Sequence, residues 1–259
     1  MIKEKLREIM LSANIREFSV CEFSFVSPLL IDCRAKTRLP KNAKSVIMAA
    51  FPYKVKAEPP KNISRYAAVK DYHIVCAKML NDASEQLKKA FPNNEFEVFL
   101  DNSPIPEVAA ANHSGLGLIG KNGLLINKKY GSFVFLGEIV TDLEINADQG
   151  GEKCLDCGRC ISFCPTNMCK ANCLSSVNQQ KKDLTDAQID LIRKSGCVWG
   201  CDICSEVCPL NKNCESTYID EFINSYRNEF LPNEDMSERA YTWRGKAVIE
   251  RNQKIVSEK

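Results

Sequence analysis

The chain has 259 residues, of which 44% are hydrophobic and 26% are charged, and this composition is that of a globular protein with an ordinary apolar core. Its formal net charge of +2 excludes a general electrostatic attraction to nucleic acid or to membranes. No apolar run approaches the roughly 18 residues that a membrane-spanning helix needs. The length fits one large domain, or one domain with a small module.

The first part of the chain carries helix-like and strand-like segments in alternation. Apolar residues at helical spacing predict a helix over 2–12, and apolar runs predict strands over 18–25 and 43–51. A long helix ending near Ala90 and further strands complete the pattern, and the last two of these strands form a predicted hairpin around Gly131. The further strands are predicted over 96–100, 124–127 and 133–140. We therefore expect an α/β (α+β) domain over residues 1–148, with ligands gathered at strand ends.

Asp101 follows one of the predicted strands and opens the segment Asp101-Asn-Ser-Pro104. A proline at the first position of a helix is favourable, so the segment indicates a passage from strand to helix. An aspartate just before a helix commonly accepts backbone N–H bonds. The residues alone leave open whether Asp101 has this structural role or a chemical one.

Three closely spaced glycines follow, at Gly115, Gly117 and Gly120. They match the dinucleotide-binding pattern G-x-G-x-x-G, which must come directly after a strand and open a helix. Here the order is reversed, because the run follows a predicted helix and precedes a predicted strand. We therefore exclude a nicotinamide site. The glycines still indicate that the backbone closely approaches another group, either a flat cofactor or a neighbouring strand.

Cysteines dominate the next part of the chain. Of the fourteen, eleven lie between Cys154 and Cys214, and seven of these form two copies of one motif that each end in Cys-Pro. The first copy contains Cys154, Cys157, Cys160 and Cys164, and the second contains Cys201, Cys204 and Cys208. Such runs hold two 4Fe–4S clusters, and the cysteine before the proline ligates the cluster of the other motif.

Neither a zinc site nor a disulfide framework fits this cysteine pattern well. A structural zinc site has two separated C-x2-C pairs without the trailing Cys-Pro, and a disulfide framework is typical of short secreted chains. We predict a ferredoxin-like double 4Fe–4S module over residues 149–215 and a C-terminal helical extension over 216–259. Helices are expected over 183–194, 217–230 and 236–252. The many unpaired thiols, with no signal-peptide pattern, predict a cytoplasmic location.

Three cysteines, Cys21, Cys33 and Cys76, lie far from this region of the sequence. Free cysteine behaves as a small hydrophobic residue and is among the most buried residue types. We interpret these three as core residues and not as ligands.

Several segments together match one known family. They begin with Arg38-Leu-Pro and Ala43-Lys-Ser-Val-Ile, and continue through Asp101-Asn-Ser-Pro104 to the two cysteine motifs. The other matching segments, in chain order, are Arg65-Tyr-Ala, Lys70-Asp-Tyr-His73, Gly115-Leu-Gly-Leu-Ile-Gly-Lys-Asn122, Gly131-Ser-Phe-Val-Phe-Leu-Gly-Glu138 and Cys208-Pro-Leu-Asn211. On these residues the chain resembles the cobalamin-dependent epoxyqueuosine reductases of tRNA queuosine biosynthesis, which are relatives of reductive dehalogenases. It resembles a short form without the C-terminal helical-repeat domain of longer members.

The resemblance implies an oxidoreductase with cobalamin on the α/β domain and two 4Fe–4S clusters. Electrons from a low-potential donor such as ferredoxin or flavodoxin would pass through the clusters to cobalt. Reduced cobalt would open the epoxide of epoxyqueuosine in tRNA, and two electrons and two protons would leave an alkene and water. We expect a monomer that acts on tRNA and has no membrane partner.

The resemblance also implies roles for individual residues. Asp101 would be the catalytic proton donor, with a pKa raised by burial beside the cofactor. The corrinoid pocket would include Arg65, Tyr66, Asp71, Tyr72, His73, Gly115, Gly117, Gly120, Lys121 and Asn122. His73 has an alternative interpretation as a structural histidine.

The family pattern assigns the cluster ligands in two sets. One cluster would be held by Cys154, Cys157, Cys160 and Cys208, and the other by Cys164, Cys173, Cys201 and Cys204. The linker between Cys164 and Cys173 is short for the family, so Cys169 or Cys197 remains a possible substitute for Cys173. Cys214 has no assigned role.

Two further functions remain open at this point. One is a reductase with the same cofactors and a different substrate, such as an organohalide or another modified nucleoside. The second is a non-catalytic electron carrier of the ferredoxin type, which would hold both clusters but no corrinoid.

Overall fold

The structure is a computed structural model that describes residues 1–258. Backbone contacts divide the chain into two compact units. The first, which we call the sheet unit, contains Met1–Pro52 and Tyr72–Leu155, and the second, the cysteine unit, contains Tyr53–Asp71 and the chain from Asp156 onward. This division differs from the predicted domains 1–148, 149–215 and 216–259. Residues 53–71 pack with the cysteine-bearing part, and the C-terminal segment is not a separate unit.

The sheet unit is built on a four-stranded sheet with the strand order β1-β2-β6-β3. Its strands are β1 (Glu17–Glu22), β2 (Ser45–Pro52), β3 (Phe96–Phe99) and β6 (Val134–Thr141), while β4 (Leu118–Ile119) and β5 (Leu125–Ile126) form a separate pair. Its helices are α1 (Ile2–Ser12), α2 (Phe23–Val26), α3 (Tyr72–Ala90) and α4 (Glu107–His113), with short 3₁₀ turns at Ser27–Leu29 and Arg34–Arg38.

Strand β2 lies at the centre of the sheet unit because its sequence is apolar on both faces. Every residue from Ser45 to Pro52 is buried. Val46, Met48 and Ala50 belong to one core cluster together with residues of α4. Helix α3 packs on β3 and β6, and it also contacts α1. The predicted helix over 2–12 and the predicted buried strand are confirmed.

The prediction of a mixed α/β fold is confirmed, but the arrangement of the sheet differs from that of a parallel α/β layer. Each neighbouring pair of strands is antiparallel. The predicted turn before Gly131 is confirmed, because Asn127 and Gly131 form an antiparallel bridge with two 2.9 Å hydrogen bonds. The predicted pairing of 124–127 with 133–140 is wrong, because β5 pairs with β4 and β6 pairs with β2 and β3. Strand β6 has the length and the apolar residues to match β2 over its whole length, which β5 lacks.

The cysteine unit is made of short helices and turns. Its helices are α5 (Arg159–Ser162), α6 (Leu174–Asn178), α7 (Asp186–Ser195), α8 (Ile203–Glu206), α9 (Asp220–Asn224) and α10 (Lys246–Ser257), with 3₁₀ turns at Lys170–Asn172, Pro209–Asn211 and Thr242–Arg244. Helix α7 begins with a capping box between Thr185 and Gln188 and ends at Gly196 in a left-handed conformation. These local signals explain why the helix predicted over 183–194 is confirmed.

Two small apolar clusters stabilise the cysteine unit. The larger one surrounds the buried side chains of Trp199 and Tyr241, and the smaller one joins α6, α7 and α10. The helix predicted over 236–252 is wrong before Lys246. The side chain of Asp235 accepts the backbone N–H of Ser237 at 2.8 Å, and Glu238 adopts a φ of +60°, so the chain turns there. Within residues 1–258 no helix combines the length and the apolar character needed to cross a membrane.

Candidate functional site

Asp101 lies on an irregular loop between the end of β3 and the start of α4. It adopts a left-handed conformation with a φ of +61°, and its side chain is 64% exposed. Backbone N–H groups of Asn102 and Ser103 donate to the carbonyls of Leu100 and Asp101, at 2.8 and 2.9 Å. Because α4 begins only at Glu107, Asp101 does not cap that helix. A left-handed aspartate on an exposed loop suits a chemical role better than a helix-start role.

The imidazole of His73 is the nearest charged partner of Asp101. Nε2 of His73 lies 3.5 Å from Oδ2 of Asp101. The hydrogen bond with His73 lowers the pKa of Asp101, partial burial opposes this, and the charge of His73 and a hydrogen bond from Tyr72 lower the pKa further. The pKa is lowered because the carboxylate faces His73, Tyr72 and solvent in this structure. A pKa raised by burial beside the cofactor stays a prediction.

Behind Asp101 lie two carboxyl groups that the sequence interpretation missed. Glu107 begins α4, and Glu138 is fully buried in the middle of β6. The two side chains lie within hydrogen-bonding reach of each other, and Ser103 donates to Glu138. A glutamate within the apolar strand Val134–Thr141 was the signal available in the sequence, since a buried charge is costly unless it is paired.

Burial changes the protonation of this pair. Burial, and to a lesser extent the negative charge of Asp101, raise the pKa of Glu107 to about 7. Burial also raises the pKa of Glu138 well above its usual range, and the nearby charge of Glu107 adds to the effect. The pair therefore holds at least one proton at neutral pH.

Tyr72 and His73 form the first turn of α3. The ring of Tyr72 stacks on Phe135 with 4.4 Å between centroids, and it contacts the ring of His73 at 4.1 Å. Both predicted pocket residues also form hydrogen bonds with the carboxylate of Asp101. The structure thus brings Tyr72, His73 and Asp101 together.

Lys121 and Asn122 lie in the tight turn that joins β4 and β5. The N–H of Gly120 donates to the carbonyl of Leu124 at 2.9 Å and closes this turn. Ile119 and Leu124, on either side of the turn, are large apolar side chains that are 38% and 39% exposed. Exposed apolar side chains next to a lysine and an asparagine are compatible with a large planar ligand.

The glycine run is explained by close contacts within the protein. A Cβ on Gly117 would lie 2.6 Å from the carbonyl oxygen of Ile126, and one on Gly115 would lie 2.7 Å from that of Gln149. At Gly120 a Cβ would collide with the side chain of Asn122. Of the two alternatives left open by the sequence, a neighbouring strand therefore accounts for Gly117. A corrinoid contact of these glycines stays a prediction.

Arg65, Tyr66 and Asp71 belong to the cysteine unit and make structural contacts there. The backbone N–H of Arg65 donates to Asp202 at 2.6 Å, and its buried guanidinium pairs with Glu206. The hydroxyl of Tyr66 accepts a hydrogen bond from Gln179 at 3.1 Å. The N–H of Asp71 donates to a backbone carbonyl at 2.7 Å. These contacts hold the segment 53–71 within its unit, and a corrinoid role for the three residues stays a prediction.

Among the cysteines outside the motifs, Cys21 and Cys76 are fully buried, and Cys33 is half-buried. Burial raises the pKa of Cys21 to about 12, so this thiol stays protonated and unreactive. The interpretation as core residues is confirmed for Cys21 and Cys76.

The cysteines of the motifs are free thiols in the structure. Cys154 lies at the end of the sheet unit, and the other seven predicted ligands lie in the cysteine unit. Asp156 and Gly158 adopt left-handed conformations with φ of +54° and +71° on either side of Cys157. Such turns wrap the backbone tightly, as a cluster-binding loop requires.

Among residues 1–258 no three Cys, His, Asp or Glu side chains lie close enough together to hold one metal ion.

The second predicted ligand set is partly assembled around Cys201. Burial, together with the charges of Cys204, Asp202 and Cys173, raises the pKa of Cys201 to about 12. The thiols of Cys173, Cys201 and Cys204 are therefore neighbours. A buried thiol with such neighbours becomes a thiolate only when a cation compensates its charge. At Cys164 burial opposes ionisation, but hydrogen bonds with Thr166 and Met168 lower its pKa.

Cys197, the alternative to Cys173, also experiences the charge of Cys201, but its thiol is engaged by backbone carbonyls. Its Sγ donates to the carbonyls of Trp199 and Gly200 at 3.3 and 3.4 Å, and burial raises its pKa to about 12. Cys169 is exposed. These contacts favour Cys173 as the ligand, and the full assignment stays a prediction.

Comparison with known proteins identifies the two parts of this site. Residues 34–102 match the family described as "Epoxyqueuosine reductase QueG, DUF1730", and residues 153–211 match the family described as "4Fe-4S double cluster binding domain". The second match confirms the predicted double 4Fe–4S module.

Individual relatives extend the similarity over most of the chain. The epoxyqueuosine reductase of Lactococcus garvieae is 34% identical over 240 residues, which cover 82% of this chain and 68% of the relative. That of Synechocystis sp. is 37% identical over 188 residues, covering 66% of this chain and 64% of the relative. This chain therefore spans about two thirds of the length of these curated relatives.

Solved structures agree with the sequence relatives. The epoxyqueuosine reductase of Streptococcus thermophilus superimposes with a TM-score of 0.80 at 27% identity, over 98% of this chain and 80% of that chain. A second epoxyqueuosine reductase, solved with an epoxyqueuosine-modified tRNA stem loop, has the same fold with a TM-score of 0.84 at 23% identity, over 98% of this chain and 80% of that chain. From these relatives we conclude that the chain belongs to the epoxyqueuosine reductase family of oxidoreductases.

Proposed function

We propose that this protein is a two-cluster, cobalamin-dependent reductase that converts epoxyqueuosine to queuosine in tRNA. The observation that carries the proposal is its 34% identity, across 82% of the chain, to a protein named epoxyqueuosine reductase. The substrate proposal gains support from a protein of the same fold that was solved with an epoxyqueuosine-modified tRNA stem loop.

The reaction replaces an epoxide by an alkene. Both C–O bonds of the epoxide break, a C=C bond forms, and the oxygen leaves as water after taking up two protons and two electrons. When bound, cobalamin supplies a strongly reducing and nucleophilic metal centre for opening the ring. The protein must hold this group, deliver electrons one at a time and provide protons at the leaving oxygen.

Electron delivery is the proposed task of the cysteine motifs. One cluster is held by Cys154, Cys157, Cys160 and Cys208, and the other by Cys164, Cys173, Cys201 and Cys204. The second set is supported by the mutual electrostatic influence of Cys173, Cys201 and Cys204. A low-potential donor such as ferredoxin or flavodoxin supplies the electrons.

Proton delivery is the proposed task of Asp101. Its exposed carboxylate can approach a ligand, and its contact with His73 orients it. Tyr72, His73, Lys121 and Asn122 are the candidates in the sheet unit for contacts with the corrinoid, and the exposed Ile119 and Leu124 provide apolar surface that a macrocycle would cover. The protein acts as a cytoplasmic monomer.

The direct test is conversion of the modified base. Anaerobically reconstituted protein is incubated with epoxyqueuosine-containing tRNA, cobalamin and a low-potential reductant, and the digested nucleosides are analysed by mass spectrometry. Queuosine should form only when iron, cobalamin and reductant are all present. Intact epoxyqueuosine in a sample with about eight irons per chain and bound corrinoid would contradict the proposal.

A further inference from the structure

The proposed proton donor is ionised before the reaction begins. The contact with His73 lowers the pKa of Asp101, so this carboxyl carries no proton to give at neutral pH. The proposed reaction nevertheless consumes two protons per turnover. A proton source must therefore lie close to Asp101.

The pair formed by Glu107 and Glu138 contacts Asp101 directly. The carboxylate of Glu107 accepts a hydrogen bond from the backbone N–H of Asp101, and it also experiences the charge of the Asp101 side chain. Glu107 therefore holds the left-handed turn at Asp101 in place and is electrostatically coupled to the carboxylate that acts on the substrate.

Hydrogen-bond geometry indicates that the pair shares a proton. Oε1 of Glu107 and Oε2 of Glu138 are both buried and find no donor among residues 1–258. Ionised carboxylates are acceptors only, so two adjacent ones cannot satisfy each other. A proton held between the two groups would give each the hydrogen bond that it lacks, and would remove one of two like charges from a buried site.

Few other ionisable groups face the pair. In the sheet, Glu138 lies opposite Met48 on β2 and Phe99 on β3, and Ser103 donates a hydrogen bond to it. Glu107 is influenced by Asp101 and Glu138. On α3, the ionisable side chains of Tyr72 and His73 form hydrogen bonds with Asp101.

We propose that Glu107 and Glu138 share a proton behind Asp101 and that this proton, passed through Asp101, reaches the leaving oxygen of the substrate. The inference rests on the proposed function. Glu107 and Glu138 are positioning residues, because they act through Asp101. In the first step an O–H bond of Glu107 breaks and one at Asp101 forms. Asp101 then gives this proton to the leaving oxygen of the substrate and returns to its carboxylate form. The pair takes up a new proton from solvent.

The first test is the pH dependence of turnover for wild-type protein and the Glu107→Gln variant. Glutamine fills the same space but cannot pass on a proton. The wild-type rate should fall about tenfold per pH unit once the pH exceeds the pKa of the pair near 7, and we call this decline the basic limb of the pH profile. The Glu107→Gln variant should be slower by about 10²- to 10⁴-fold and should lack the basic limb. An unchanged limb in Glu107→Gln would overturn the proposal.

Two further variants separate this proton source from its neighbours. Glu144→Gln removes an exposed carboxylate from the same unit and should keep the wild-type limb. His73→Gln should also keep the limb, whatever its effect on the maximal rate. A limb that disappears in His73→Gln and persists in Glu107→Gln would assign the proton to the histidine instead.

The second test needs no turnover. Infrared difference spectra between pH 5 and pH 9 should show loss of a protonated carboxyl band in wild-type protein and a weaker or absent band in Glu107→Gln. The absence of that band in folded wild-type protein would overturn the shared proton. Asp202, whose pKa burial raises to about 6, contributes to the band in both proteins, so the comparison uses the difference between them. If neither protein forms queuosine while the band is stronger in wild type than in Glu107→Gln, the proposed function fails and the shared proton stands.

A stability measurement provides an independent check. A carboxyl whose pKa is raised on folding contributes stability that is present below its unfolded pKa of 4.5 and is lost as pH rises toward 7. The difference in melting temperature, wild type minus Glu107→Gln, should therefore decrease as the pH is raised from 4.5 to 7. A constant difference over this range would contradict the raised proton affinity.

Discussion

The two units of this protein are stabilised in different ways. The sheet unit has a continuous apolar core around β2, all eight residues of which are buried. The cysteine unit has several helices of only four or five residues, two small apolar clusters and half-buried or exposed thiols. Short helices are unstable without tertiary packing. We therefore expect that the sheet unit folds on apolar burial, whereas the cysteine unit depends on its iron–sulfur clusters for stability.

Removing the iron tests this difference most severely. Cluster binding contributes its free energy to the fold that supplies the ligands, so chelation should unfold much of the cysteine unit. Hydrogen exchange followed by peptide mass spectrometry should show lost protection at α5, α6 and α8 and retained protection at β2 and β6. Equal loss in both units, or none in either, would show that the contrast is wrong.

Single cysteine substitutions sharpen the contrast within the cysteine unit. Cys173→Ala should lower the iron content from about eight to about four atoms per chain, because it removes a proposed ligand of one cluster. Cys197→Ala is the matched control and should keep all the iron, since its thiol donates to backbone carbonyls. Iron lost in Cys197→Ala and kept in Cys173→Ala would reverse the ligand assignment.

Trp199 tests how much the apolar clusters contribute to the cysteine unit. Its side chain is fully buried and packs edge-on against Tyr241 at 6.0 Å. Trp199→Ala should cost about 3–5 kcal/mol of unfolding free energy in denaturant titrations of the iron-loaded protein. Trp243→Ala, at a site that is 57% exposed, should cost less than about 0.5 kcal/mol. Similar costs for the two variants would mean that the larger apolar cluster contributes little.

The packing of α3 on β6 provides a smaller effect in the sheet unit. A Cβ at Gly137 would lie 2.7 Å from Cδ1 of Leu80, so Gly137→Ala should cost about 1–3 kcal/mol by overpacking. The double variant with Leu80→Val makes room and should recover part of this loss relative to Leu80→Val alone. Thermal unfolding measures both, and an unchanged melting temperature for Gly137→Ala would contradict the close packing.

Local sequence patterns predicted the elements whose determinants are local. Helix α1 and strand β2 follow from apolar spacing, and α7 from Thr185, Gln188 and Gly196. The spacing of the cysteines likewise predicted the double cluster module, because ligation by closely spaced thiolates is itself a local requirement. These features need no knowledge of the rest of the fold.

Features that depend on distant contacts were missed. The pairing of β6 with β2 depends on matched apolar strands far apart in sequence, so the predicted pairing of β6 with β5 failed. The lowered pKa of Asp101 depends on His73 from helix α3, and the pair of carboxyls joins Glu107 and Glu138 from different elements. In the sequence, only Glu138 within the apolar strand β6 indicated a buried carboxyl group at this place.

The central claim is a division of labour, in which the cysteine motifs carry electrons and Asp101 delivers protons. The most direct test is the electron paramagnetic resonance spectrum of reduced Asp101→Asn protein, recorded on the sample that is assayed for queuosine. We expect the signals of two reduced 4Fe–4S clusters, as in wild type, together with a loss of turnover of about 10²- to 10⁴-fold. Altered or missing cluster signals, or wild-type turnover, would contradict this division.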